Sequence, residues 1–482
     1  MYPVPDGDAI AFIPTIKTYA MSGVLENKLI DVSFRWDPRG LGRFLFHTPG
    51  TPLFFGSLLS LFREKSYQNV LFLLSLARCA SVFLFTKSVL LALQRSGRPA
   101  GIHRFAIPSI LIVSNAFFLF ASNGRPEILS MLLINFALVS TLSARPTFQK
   151  HLIIQICLGL LFPVSIVNGL VGVIFYALYL AFSIPSWHKK ALFLLLSLSC
   201  SALFLLASYL LARVNLEETF LAFQMHANSK MANGNLDFRV IVYYLSTWGL
   251  FGILSILFLA KRSSEFFGDE AKFLAEKLWL LISLFVLIPA VWYSGLLNPN
   301  THYQLYAFIS IYQILSLQLV VQAAGHVHKL LCTLNISVIY VAAVLSLLQP
   351  VQKILLFPYY LSSGSSYALM KQRFEDLKPA NCSIVYTAAV AWLDESQSGS
   401  EYSLNDTGSI NKSERIKKYE KNSSCVVAFV QEVNSNSRFP SDADLIADFS
   451  DQSPFTRFLR SIRLLKSPKG YSFKVYRSDW TS

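Results

Sequence analysis

The sequence predicts an all-α polytopic membrane bundle followed by a small C-terminal α/β domain. Three observations lead there. Of 482 residues, 53% are hydrophobic and only 15% charged, with a mean hydropathy of +0.46. Soluble domains hold about 25% charged residues, so much of this surface is made for lipid. Apolar runs close to the ~20 residues that cross a bilayer as a helix recur between Tyr67 and Gln349. From about Leu369 the composition changes to Ser-, Asn- and Asp-rich stretches between short apolar runs. The same figures exclude a disordered chain and a coiled coil, and 6 Cys are too few to staple a secreted scaffold of this length. The net charge of +14 is not a nucleic-acid footprint, because Lys and Arg fall mainly between apolar runs and in the tail.

Taken in order, residues 1–66 form a first loop, 67–349 the bundle and 350–482 the tail. The first loop opens with Met1–Gly7, short and polar with two prolines, which is no signal peptide. From Asp8 the chain reads DAIAFIPTIKTYAMSG, with Ile10, Ile13, Ile16 and Tyr19 on one side and Gly23 as a natural stop. That predicts an amphipathic helix lying along the membrane surface. Asp6 and Asp8 stand at its N-terminus, where Asp is a preferred cap. Past Arg35–Trp36–Asp37 the segment from His47 to Phe62 enters the membrane region.

Spans are expected at Tyr67–Gln94, Arg104–Ser122, Glu127–Ser143, Lys190–Arg213, Arg239–Ala260, Lys277–Leu297, Tyr303–Ala323 and Lys329–Gln349. The run from His151 to Ile184 is broken by Pro163, with Asn168 and Gly169 close behind, and predicts two short helices that dip in and return. With that hairpin, the basic junctions (Arg95 to Arg104, Arg145 with Lys150, Lys189 with Lys190, Lys261 to Lys277, and Lys329) share one face, which the positive-inside rule makes cytoplasmic. Met1–Ser66, the Asn123–Glu127 turn, the Val214–Phe238 loop, Leu297–His302 and the tail then lie outside. An exterior Met1 calls for a helix upstream of it, lost from this chain, or for a first span that re-orients the chain; the lost helix is the reading preferred. Arg78 lies deep in the first span, where a charge is costly and a functional or structural partner is expected, the structural one being preferred.

In the tail, strands are expected at Ser383–Trp392, Cys425–Val433 and Tyr471–Tyr476, and helices at Ala443–Phe449 and Phe455–Leu465. The polar insert Asp394–Ser424 reads as a mobile loop. Cys382 and Cys425 each start a strand and can pair if the tail is exterior. Cys79, Cys157, Cys200 and Cys332 sit singly in spans as packing residues, and His326, His328 and Cys332 are a poor zinc set. Sequons at Asn381, Asn405, Asn411 and Asn422 are compatible with an endoplasmic reticulum lumen or a periplasm, while Asn335 lies within a span. Short loops and a compact tail favour a bacterial cytoplasmic membrane.

The pattern of an Asp, an amphipathic helix ending at Ser22–Gly23, and a Pro-containing turn into a juxtamembrane helix resembles the first exterior loop of the C-type membrane glycosyltransferases. It is most similar to the protein O-mannosyltransferase and aminoarabinose transferase branch. In that branch the acidic residue opening the helix is the catalytic carboxylate, and the spacing to Ser22–Gly23 matches it to Asp8 rather than Asp6. The proline turn corresponds to Thr48–Pro49–Gly50–Thr51–Pro52–Leu53, where Gly50 and Thr51 separate the two prolines. The family's second acidic residue, in the next exterior turn, corresponds to Glu127 in Asn123–Gly124–Arg125–Pro126–Glu127.

The resemblance implies transfer of a sugar from a polyprenyl-phosphate donor, with its lipid in the bilayer, to an acceptor hydroxyl at the exterior face. Such a reaction needs a carboxylate just outside the membrane to take the acceptor's proton and cations near the departing phosphate. Asp8 is the candidate base. Asp6, His47, Arg125, Glu127, His226, Lys230, His302 and Tyr303 are the candidate substrate or phosphate contacts. Asp6–Gly7–Asp8 is spaced to hold one divalent ion, and no metal is assigned. Two other functions compete. A transporter or lipid flippase would repeat mid-membrane breaks or charges in two halves, whereas Arg78 and Pro163 have no counterpart. A non-catalytic assembly subunit would keep the fold without the site.

Overall fold

The computed structural model describes residues 9–27, 47–95, 107–109, 111–112, 126–143, 147–221, 224, 275–284, 286–287, 307–323, 367–379, 381–386, 390, 393–395, 400–401, 425–430, 444–449 and 473–479. The expected spans Arg239–Ala260 and Lys329–Gln349 lie outside these residues, as does the expected tail helix Phe455–Leu465. Arg104–Ser122, Lys277–Leu297 and Tyr303–Ala323 are described in part.

Helix α1 (Ala9–Ser22) stops at Gly23, whose φ of 70° suits glycine. Helix α2 (Gly50–Ser60) leads to α3 (Tyr67–Arg95), which is followed by α4 (Pro126–Leu142), α5 (Thr147–Val164), α6 (Ile166–Ser183), α7 (Trp187–Ala212) and α8 (Ile309–Ala323). Among the described residues α3, α5, α6 and α7 are long and apolar enough to cross a membrane, and α4 and α8 are shorter apolar helices. The protein is an integral membrane protein. Helix α7 leaves Leu195, Leu203, Leu206 and Leu210 exposed, which is the face of a helix solvated by lipid.

The break in the His151–Ile184 run is a single residue. Pro163 lies in the last turn of α5 and leaves the ladder one N–H short just before the break. Ser165 is extended (φ −161°, ψ 114°), and its hydroxyl accepts from the Asn168 N–H to cap α6. The two helices are 18 residues each, longer than the short dipping pair that was expected. At ~1.5 Å per residue each reaches about 27 Å, close to the thickness of the hydrocarbon core. The chain still returns to the end it came from. Helices α3 to α7 thereby place the Ser165 bend, the start of α4 and the end of α7 at one end of the bundle. The ends of α4 and α6 and the starts of α5 and α7 lie at the other.

Polar pins hold these helices in register. Asn168 Nδ2 donates to Ser130 Oγ (2.9 Å), Asn135 Nδ2 to the Ser81 carbonyl (3.2 Å) and Gln155 Nε2 to the Phe193 carbonyl (3.2 Å). The buried Nε of Arg78 has no hydrogen bond among the described residues.

In the tail, helix α9 (Tyr367–Leu377) lies on a five-stranded mixed sheet of order β2-β1-β3-β5-β4, formed by β1 (Ser383–Tyr386), β2 (Ser400–Glu401), β3 (Cys425–Val430), β4 (Asp444–Asp448) and β5 (Lys474–Asp479). β1 runs parallel to β2 and β3, and β5 is antiparallel to β3 and β4. Phe374 of α9 meets Phe429 of β3 (ring centroids 4.5 Å apart), which meets Phe473 (5.7 Å). Cys382 and Cys425 form a disulfide.

Two expectations for the tail are corrected. Within the expected helix Ala443–Phe449, Asp444–Asp448 is an edge strand, because antiparallel pairing with β5 outweighs the local preference of so short a run. The insert from Asp394 begins anchored rather than mobile: Asp394 is fully buried, and Ser400–Glu401 adds an edge to the sheet.

Candidate active site

Helix α1 was expected to lie on the membrane surface with one apolar side. Instead Phe12 to Thr18 are buried on every side. Ile13 and Ile16 enter the main core, and Phe12 packs with Leu25 and Ala212, the last residue of α7. At Gly56 of α2 a side chain would meet the Tyr19 ring (2.6 Å) and the Ile16 carbonyl (3.1 Å), so a glycine lets the two helices cross closely.

The remaining side of α1 is closed by the tail. Lys17 Nζ donates to the Glu395 carboxylate (2.7 Å) and to its carbonyl (2.6 Å), and lies 4.5 Å from the centre of the Tyr67 ring at the start of α3. Lys371 of α9 is 3.7 Å from the same carboxylate, and Lys378 is 3.4 Å from the neighbouring buried Asp394. One lysine thus joins three parts of the chain. Neither Lys17 nor Glu395 was singled out from the sequence, because they are 378 residues apart.

Helix α2 seats this assembly on the bundle. Thr48 Oγ1 donates to the Val164 carbonyl (2.9 Å) at the Ser165 bend, and a side chain at Gly50 would run into the Pro163 carbonyl. The proline turn of the sequence is therefore the contact between the first segment and the α5–α6 bend. Thr51 Oγ1 and Asn168 Oδ1 are buried beside this contact without hydrogen-bond partners among the described residues. Asn168 was noted in the sequence only as part of a helix break.

Two of the sequence-derived candidates are described. His47 is half-buried with its ring centroid 5.0 Å from that of Phe12, so it sits against α1. Glu127 is 3% exposed in the first turn of α4, where a carboxylate is favoured by the helix dipole, at the same end of the bundle as α1. Asp6, Asp8, Arg125, His226, Lys230, His302 and Tyr303 lie outside the described residues. Asp8 directly precedes the first residue of α1. Among the described residues no group of three or more His, Cys, Asp or Glu side chains is arranged to hold a metal ion. His326, His328 and Cys332 are not among those residues.

No protein-family model matches the chain, and no curated protein matches it. Solved structures do. ArnT from Cupriavidus metallidurans bound to undecaprenyl phosphate covers 99% of this chain and 94% of its own, with a TM-score of 0.53 and 13% identity. The Archaeoglobus fulgidus oligosaccharyltransferase in complex with zinc and sulfate covers 89% of this chain and 64% of its own, with a TM-score of 0.46 and 13% identity. The same protein tethered to an acceptor peptide covers 89% and 65%, with a TM-score of 0.47 and 14% identity. The match to ArnT covers nearly the whole of both chains, and the fold of this chain is similar to that of ArnT.

Proposed function

We propose that this chain is a glycosyltransferase that moves a sugar from a polyprenyl-phosphate donor to an acceptor hydroxyl on the exterior face of the membrane, with Asp8 as general base. The observation that supports it most is the held helix α1. The helix is held at one end of the bundle, with Phe12 of its first turn against Ala212 of α7 and Lys17 further along paired with Glu395, and the residue before it is Asp8. A base that must meet both a lipid-borne sugar and an incoming hydroxyl gains from being fixed in this way, since reacting atoms need to be aligned within about 3–3.5 Å. The ligand of the ArnT structure is undecaprenyl phosphate, a polyprenyl phosphate, and the same carrier chemistry suits a site at the lipid–water boundary.

In this reading residues 1–66 and 350–482 face the exterior and 67–349 span the membrane. Arg125, Lys230, His226, His302 and Tyr303 surround the departing phosphate, while Asp6, His47 and Glu127 border the sugar. The membrane is a bacterial cytoplasmic one, and the Cys382–Cys425 disulfide suits its oxidising outer side. The test is transfer in proteoliposomes from a radiolabelled polyprenyl-phosphate sugar. Labelled product that requires Asp8 is the expected result. Lipid movement across the bilayer without any transfer would favour the flippase reading instead.

A further inference from the structure

At the end of the bundle opposite α1 lies a cavity of about 600 Å³ between α4, α5, α6, α8 and the helical residues 275–284. Along α5 its lining runs from Thr147 to Leu161. From His151 to Leu161 it is about 15 Å long at ~1.5 Å per residue, which is half the ~30 Å hydrocarbon core of a bilayer and so the depth of one leaflet. The deep part is apolar, walled by Leu158, Leu161, Phe308 and Ile311, and Gly172 leaves room there that a side chain would take from Leu158 (2.8 Å) and Leu161 (3.3 Å).

The mouth is polar and basic. Lys150, His151, Tyr179, Ser183 and Lys277 line it. His151 Nδ1 is 2.9 Å from the Tyr176 hydroxyl and its ring stacks on Phe193 at 4.4 Å, so the imidazole is held in one orientation. Lys190 adds a third cation at this end, with its Nζ donating to the Ala181 carbonyl (2.9 Å). The counter-charge is Glu276, which accepts from Ser183 (2.9 Å) and lies 3.4 Å from Lys277. Exposed Trp187, beside Lys189 and Lys190, marks the interface at the same level.

We propose that this cavity binds one anionic glycerophospholipid of the cytoplasmic leaflet, with its phosphate at Lys150 and Lys277 and one acyl chain between α5 and α6. Three observations select that occupant. The mouth lies at the basic end, where the positive-inside rule places the cytoplasm. Basic pockets between spans at that face suit anionic headgroups. The depth matches a single leaflet, so a chain reaching down from the other face is not what its polar mouth receives. The inference rests on the same topology as the transferase reading and not on the transfer chemistry itself.

The test is native mass spectrometry of the full-length protein in detergent, titrated with phosphatidylglycerol, phosphatidylcholine, undecaprenyl phosphate or inorganic phosphate. Phosphatidylglycerol should be retained in preference to phosphatidylcholine. The double variant Lys150→Ala with Lys277→Ala should bind it on the order of tenfold more weakly, and Lys150→Arg with Lys277→Arg should restore it. Filling the apolar part by Gly172→Leu, or from the α4 wall by Ala137→Leu, should block the lipid, and thermal melts will show which of the two variants is folded. Undecaprenyl phosphate binding should be indifferent to the lysine changes. Equal retention of both phospholipids, unchanged binding by the double alanine variant, or displacement by free inorganic phosphate would each overturn the proposal.

Discussion

Asp8 carries the sharpest residue-scale prediction. Asn caps a helix about as well as Asp does and cannot take a proton from an acceptor, so the two roles of this position separate on substitution. Asp8→Asn should leave the melting temperature nearly unchanged while transfer falls on the order of a hundredfold; Asp6→Asn should be milder. Full activity in Asp8→Asn with a verified donor would leave only the cap. Arg125→Ala and Lys230→Ala should impair use of the donor more than folding, since a cation beside a developing phosphate charge contributes about 2–4 kcal/mol at the transition state. Initial rates against donor concentration, measured alongside melting curves, separate the two effects. His47 is among the candidates named from the sequence, but its contact with Phe12 was not legible there, because nothing in either local stretch encodes the other.

At the scale of elements, α1 depends on the tail. Lys17 and Glu395 are both largely buried, with side chains 9% and 17% exposed, and removing the Lys17 charge takes from Glu395 its shortest ion pair, leaving the longer one to Lys371. Lys17→Met keeps the stem and loses the ammonium, and should destabilise by about 3 kcal/mol as a buried pair is broken. If the tail positions α1 for catalysis, transfer should fall further than the loss of folded protein explains. A second element contact is backbone against backbone. Gly50→Ala forces a methyl against the Pro163 carbonyl and should cost about 1–3 kcal/mol through overpacking, measurable by thermal unfolding in detergent. Helix α9 was missed in the sequence although Met370 and Phe374 are buried four residues apart at helical spacing. It was hidden by being read as the first residues of a Ser- and Asn-rich tail.

For the whole molecule, the tail and α1 lie at the same end of the bundle because Lys17 reaches Glu395. A cysteine placed at Ser400 should therefore be labelled by an impermeant reagent in intact cells, and one at Ser264 should not. The reverse pattern would end the transferase reading. Denatured but unreduced protein should leave Cys382 and Cys425 unalkylated, and peptide mapping before and after reductant checks this.

The bundle was readable in advance because crossing a bilayer demands a long apolar run, and that requirement is met within one stretch of chain. The Gly23 stop and the break near Pro163 were readable for the same reason: glycine and proline act on their own backbone. What needed the tertiary structure was everything decided by partners distant in the chain. The burial of α1, the Lys17–Glu395 pair and the strand at Asp444–Asp448 all depend on such partners. So does the cavity, which is the space left when α4, α5, α6 and α8 meet. Hydropathy and periodicity report how a segment meets its solvent; which other segment it meets is set by packing and hydrogen bonding across the fold, and those leave no mark on local spacing.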